Sequence, residues 1–129
     1  MTLFEKLDHI GIAVADLEKS ISFYRDQVGL DLKGIEAVAE QKVRVAFFPV
    51  GESKIELLES TDPDGPVGKF VEKKGEGVHH LSFRVTDIEA KLEQLKEQGV
   101  ALIDQKPRIG AGGEKIAFLQ PKSTGGVLI

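Results

Sequence analysis

The chain has three histidines, His9, His79 and His80, and each stands near the start of an apolar stretch: "LDHIGIAV" for the first, "GVHHLSFRV" for the other two. Imidazole is both the commonest metal ligand and the side chain that exchanges protons near neutral pH. A carboxylate in a similar setting is Glu56, inside "KIELLE". His9, Glu56 and His80 together form an N2O donor set suited to one divalent ion such as zinc, cobalt, nickel or manganese. An ion held this way stabilises an oxygen on which negative charge develops, and a carboxylate beside it can carry a proton. A single histidine next to an apolar strand is more often a hydrogen-bonded structural residue. The set therefore gains meaning only if the fold brings its members together.

An internal repeat does this. Shifting the chain by 71 residues, the spacing of His9 and His80, lays "LDHIGIAVADLEKSISFYRDQ" over "VHHLSFRVTDIEAKLEQLKEQ" without a gap. Val14 then falls on Val85, Asp16 on Asp87, Glu18 on Glu89 and Gln27 on Gln98, and "VAFF" falls on "IAFL". Self-similarity at a fixed offset marks duplicated structural units. The chain reads as two modules, 5–60 and 76–129, within one domain.

Each module has the order βαβββ. Strands are expected over 7–14 and 78–85, where apolar residues alternate. Asp16 and Asp87 suit helix N-caps, since a short carboxylate accepts from the free amides of a first turn. Leu17, Ile21, Tyr24 and Val28 follow at helical spacing, as do Ile88, Leu92 and Leu95, and Gly29 and Gly99 suit the C-caps. Further strands are expected over 32–37, 43–50 and 54–59 in the first module. Their counterparts in the second are 101–103, 115–119 and 127–129, with a short helix over 67–73 between the modules. The fold class is α+β, with two tandem modules forming a curved sheet around a metal-binding cavity.

Alternation assigns faces. Ile10, Ile12 and Val14 share one face with Leu81, Phe83 and Val85, under the helices. His9, Gly11 and Ala13 face the other way, with His80, Ser82, Arg84 and Glu56. His79 is placed on the helix side as a structural residue. A pseudo-twofold axis would bring His9 and His80 to one cavity. The same symmetry asks the last strand of module two, "GGVLI", for a carboxylate matching Glu56, and the expected position is the one after Ile129.

The bulk composition excludes other classes. A length of 129 residues with 41% hydrophobic and 29% charged residues supports a folded core. A net charge of −4 without a basic cluster argues against a nucleic-acid partner. The absence of cysteine removes disulfide and thiolate chemistry. No apolar run reaches membrane-spanning length, so the expectation is a cytoplasmic protein without a membrane partner.

The stretches "LDHIGIAVADLEKSISFYRD", "KIELLES", "PVGKFVEKKGEGVHHLSFRV" and "FLQPKSTGGVLI" resemble the vicinal oxygen chelate superfamily, which includes glyoxalases and bleomycin-resistance proteins. Within it they most resemble the methylmalonyl-CoA epimerases, over nearly the whole chain. The resemblance implies metal-dependent interconversion of the R and S forms of methylmalonyl-CoA. It implies one divalent ion on His9, Glu56 and His80, an acyl-CoA substrate and a homodimer. The fourth ligand of the family is a Glu after "GGVLI" that also serves as a base, and some members carry an acid at the position of Val45. Glu56 is then a candidate acid–base group, with Glu36, Glu40 or a water as alternatives for the second face. Lys106, Arg108 and Lys122, with the amides of Gly110–Gly113, are candidate contacts for the phosphates of CoA, though they also read as a solvated turn. The same donor set would serve glyoxalase I, and some members of the fold only bind small molecules.

Overall fold

The computed structural model describes residues 4–129. β1 (Phe4–Val14) leads into α1 (Leu17–Ser22), and β2 (Gly34–Val38), β3 (Val43–Val50) and β4 (Ser53–Ser60) follow. α2 (Pro66–Lys74) links to β5 (Gly77–Val85) and α3 (Ile88–Glu97), followed by the two-residue strands β6 (Arg108–Ile109) and β7 (Lys115–Ile116). The main sheet has the order β2-β3-β4-β1-β5. In it β1 pairs parallel with β4 on one side and antiparallel with β5 on the other. The last strand of module one and the first strand of module two thus flank the first strand of the chain.

Both predicted caps form. The Asp16 carboxylate accepts from the Lys19 amide at 3.1 Å and that of Asp87 from the Ala90 amide at 3.0 Å. α1 lies on the sheet face that carries Val14, Ala46, Phe48 and Leu57, and buries Leu17 and Ile21 there. Arg44 secures its start: the guanidinium donates to Glu59 and Glu18, while Glu59 accepts from the Leu17 amide at 2.9 Å. The opposite face carries Ala13, Val43, Val45 and Leu58. There Val67, Phe70 and Val71 of α2 close one end of it.

Two elements depart from the pattern. The helix expected to run to Val28 changes after Ser22 to a π-type turn over Phe23–Val28. Bonding from i to i+5 takes more residues per turn, so Val28 rotates away from the sheet and is 51% exposed. In module two, the expected strands at 101–103 and 115–119 shrink to β7 and a single bridge between Leu102 and Leu119. The segment 127–129 is joined by isolated bonds, from the Leu81 amide to the Leu128 carbonyl, from the Leu119 amide to the Ile129 carbonyl, and between Val127 and the Thr124 hydroxyl. Gly112, Gly113, Gly125 and Gly126 all have positive φ. Such backbone leaves the extended region a ladder needs.

Candidate active site

Strand register lines up Glu56 of β4, Gly11 of β1 and His80 of β5 in one row, with His9 two residues back along β1. A Cβ on Gly11 would stand 2.6 Å from His80 Nδ1 and 2.7 Å from Nε2. The imidazole of His80 therefore lies directly over residue 11, an approach that requires glycine. It brings His80 Nε2 to 3.0 Å from His9 Nε2, with the two rings nearly perpendicular. Glu56 Oε2 lies 3.2 Å from His9 Nδ1. All three side chains line a cavity of about 780 Å³ that Phe118, Leu119 and Ile129 also border.

Two neighbours complete the cluster. Asp8 Oδ2 accepts from His9 Nδ1 at 2.7 Å, and Arg84 Nε donates to Asp8 Oδ1 at 3.0 Å. His79 Nδ1 lies 2.9 Å from His80 Nδ1, with its ring edge-on to Phe70 of α2. Lys54 Nζ stands 3.5 Å from Asp8 and 3.8 Å from Glu56.

Burial governs the protonation states. It pushes His80 down to about 3, with His9 and His79 adding to the shift. His9 is also lowered by burial, against the pull of Asp8. Both imidazoles are therefore neutral at neutral pH. Burial raises the Glu56 carboxyl to about 7, opposed by Lys54 and reinforced by Asp8 and Glu36. For Asp8 burial acts upward, yet the hydrogen bond from His9 with Lys54 and Arg84 brings it down to about 2.

These facts test the fit to a metal. A carboxylate only accepts, so His9 Nδ1 carries the proton that Asp8 receives, and His9 Nε2 offers a lone pair towards His80. Two imidazole nitrogens 3.0 Å apart can share one ion at about 2.0–2.1 Å from each. Donor atoms of Asp8, His9 and Glu56 also lie within 4.8 Å of one another. That corner already holds the Lys54 ammonium, with Arg84 on Asp8. The Nε2 corner, where His9 and His80 face each other, is the one left for a divalent ion, and Glu56 stands across the His9 ring at its Nδ1.

Over residues 8–118 the chain matches the glyoxalase/bleomycin resistance protein/dioxygenase superfamily. It is 38% identical to the mitochondrial methylmalonyl-CoA epimerase of Mus musculus over 125 residues, 96% of this chain and 70% of that protein. The crystal structure of methylmalonyl-CoA epimerase from Mycobacterium tuberculosis superposes with a TM-score of 0.96 at 38% identity, covering 100% of this chain and 87% of that one. A Streptomyces coelicolor methylmalonyl-CoA epimerase variant in complex with 2-nitronate-propionyl-CoA gives 0.93 at 40% identity, covering 97% and 91%. The chain belongs to the methylmalonyl-CoA epimerase family of that superfamily.

In this epimerase-family chain, the fold brings His9, Glu56 and His80 to one cavity, with His80 at the Nε2 of His9 and Glu56 at its Nδ1. The candidate phosphate contacts lie elsewhere: Lys106, Arg108 and Lys122 are not among the residues lining the cavity. Arg108 instead pairs with Asp104 at 3.2 Å and lies over the Phe118 ring. The glycine-rich loop spends its amides internally, Gly110 on the Glu114 carbonyl, Gly112 on the Glu36 carboxylate and Gly113 on the Gly110 carbonyl. Cations that do line the cavity are Lys54, Arg84, Lys91 and Lys115. The signal for Lys54 was available, because it sits two residues before Glu56 and so shares its face. Asp8 carried no such signal, since alternation puts it opposite His9. His79 packs on Phe70 of α2, on the sheet face opposite α1 rather than beneath it, and its Nδ1 is turned to His80. Glu36 and Glu40 border a separate, smaller cavity.

Proposed function

We propose that the chain interconverts the R and S forms of methylmalonyl-CoA by moving the C2 proton, with a divalent cation held by His9, Glu56 and His80. Family membership makes the chain an isomerase that acts on an acyl-CoA. The observation that carries the finer reading is the pair of Nε2 atoms turned to each other, 3.0 Å apart, in a cavity that the buried Glu56 also lines. The C2 proton lies between a thioester and a carboxylate, and its removal places negative charge on the thioester oxygen. A divalent cation supplies Lewis-acid stabilisation of that charge.

The side chains supply the rest. Glu56 is 4% exposed, and a buried carboxyl at the cavity wall is a group that can carry a proton to and from the substrate. We assign it as the acid–base group on one face of C2. Epimerisation returns the proton on the opposite face, so a second carrier stands across the substrate from Glu56. Lys54 and Arg84 at the cavity rim favour an anionic substrate. A cytoplasmic homodimer is the setting that the family resemblance carries to this chain, and analytical ultracentrifugation checks the dimer. Among the described residues no helix is long and apolar enough to cross a membrane.

The test is exchange of the C2 proton of methylmalonyl-CoA for deuterium, followed by NMR. Protein stripped by a chelator should lose exchange, and protein reloaded with cobalt or zinc should regain it. Absence of exchange with a fully loaded site overturns the reading; turnover of a glutathione hemithioacetal would then mark glyoxalase chemistry. A Glu56→Ala variant with full metal content and full activity would refute the acid–base role.

A further inference from the structure

Adjacent residues in a strand point to opposite faces, so Asp8 should not meet His9, nor His79 meet His80. Both pairs nevertheless touch through side-chain atoms, at 2.7 and 2.9 Å. Strand register shows how. Leu7 pairs with Phe83 and His9 with Ser82, which leaves Asp8 as an extra residue in β1. Gly11 pairs with His80 and Ile12 with Val78, which leaves His79 as an extra residue in β5. Each is a one-residue bulge, a feature that re-aims a side chain. The offset that lays His9 on His80 also lays Asp8 on His79.

We infer that Asp8 and His79 are repeat-related positioning residues, each turned by a bulge onto the Nδ1 of the histidine that follows it, so that both Nε2 atoms face one point in the cavity. The inference rests on reading His9 and His80 as ligands of one cation. Ligand imidazoles are commonly held by a partner on their other nitrogen, which fixes tautomer and ring orientation. Asp8 is itself fixed, with Arg84 on Oδ1 and Lys54 near Oδ2. Glu56 stands farther from His9 Nδ1 than Asp8 does, 3.2 against 2.7 Å, so Asp8 is the principal acceptor. On the other ligand, His80 Nδ1–H donates to His79 Nδ1 when its Nε2 faces a cation. The His79 ring is braced against Phe70, and both positioning groups lie on the Nδ1 side, away from the shared point.

Two readouts test this besides turnover: the tautomer of His9 in metal-free, 15N-labelled protein by NMR, and zinc affinity by competition with a chromophoric chelator. Wild-type His9 should be the Nδ1–H form, and Asp8→Ala should return it to Nε2–H. Asp8→Ala and His79→Phe should each weaken zinc binding by about 10–100-fold. Asp8→Asn and His79→Gln, which still offer an acceptor oxygen, should recover most of that loss. They also carry the test if the larger changes unfold the protein. Wild-type His9 in the Nε2–H form, or zinc affinities of Asp8→Ala and His79→Phe within twofold of wild type, overturns the inference. If the wild type binds no zinc while its His9 tautomer still follows Asp8, the metal reading fails and the positioning role stands.

Discussion

Replacing Gly11 by alanine puts a methyl group where the His80 imidazole now lies. The added carbon would stand 2.6 Å from Nδ1 and 2.7 Å from Nε2, whereas such contacts become ordinary at 3.4 Å. Cε1 would be nearer still, so the ring must retreat by roughly 1 Å, in a direction limited by His79 on its Nδ1 and by the edge-on contacts to His9 and Phe118. Overpacking of this kind costs about 1–3 kcal/mol. Gly11 is not among the glycines of positive φ, so its backbone accepts alanine. The stiffer unfolded chain then returns about 0.4–1 kcal/mol. The net expectation is a loss of about 1–2 kcal/mol in urea unfolding with chelator present. Displacing a donor by nearly 1 Å should cost about 10-fold in zinc affinity, and about 100-fold in deuterium exchange. Gly34→Ala is the control. It too is a strand glycine without positive φ, but nothing lies within 4 Å of its added carbon, so stability and zinc affinity should stay near wild type. If Gly11→Ala behaves like Gly34→Ala on all three measurements, the close approach of His80 does not organise the site.

Other perturbations follow from the same structure. Phe48 has 0% exposure beneath α1, so Phe48→Ala should lose about 3–5 kcal/mol in the same urea assay. Asp16→Ala and Asp87→Ala each remove a single cap bond, and each should cost about 1 kcal/mol, with far-ultraviolet circular dichroism unchanged below the transition. The metal-free protein should show opposed pH slopes. Buried His80, near 3, refuses a proton that the unfolded chain accepts below 6.5, so stability falls as pH drops from 6.5 towards 3. Glu56, near 7, keeps a proton that the unfolded chain releases above 4.5, so stability falls as pH rises from 4.5 to 7. Glu56→Gln should expose the histidine slope, about 1.4 kcal/mol per pH unit between 4.5 and 6.5 in chelator. An unchanged pH profile would remove Glu56 from the balance.

Much of this was legible in the residues. The 71-residue offset identified His9 and His80 as equivalents, and the Asp caps, α1 and α3 follow from local patterns that need no knowledge of distant contacts. Alternation also placed Glu56 and Gly11 on the cavity face. What alternation cannot register is a change of phase. A π turn shifts the helical period at Phe23, and a bulge shifts the strand period at Asp8 and again at His79. Each inserts a residue that the pairing does not count, and nothing in the side-chain types announces it. Module two failed for another reason. Its expected strands are short apolar runs separated by glycines at 110, 112, 113, 125 and 126, so apolarity there marks partial burial rather than extended pairing.

The repeat also shows why equivalent positions carry different chemistry. Asp8 and His79 occupy the same kind of bulge and meet the same atom of the following histidine, yet one is a carboxylate and the other an imidazole. Their surroundings decide. Asp8 sits between Arg84 and Lys54, and the hydrogen bond from His9 together with those cations holds its carboxylate ionised despite burial. His79 packs against Phe70, and burial alone lowers it, with no charged neighbour to oppose the shift. A carboxylate there would lose its water without gaining a cation, a cost that buried charges meet only when paired. A neutral imidazole offers Nδ1 as donor or acceptor at no charge cost. The two bulges thus share one geometry, and each environment chooses the group that turns the next histidine.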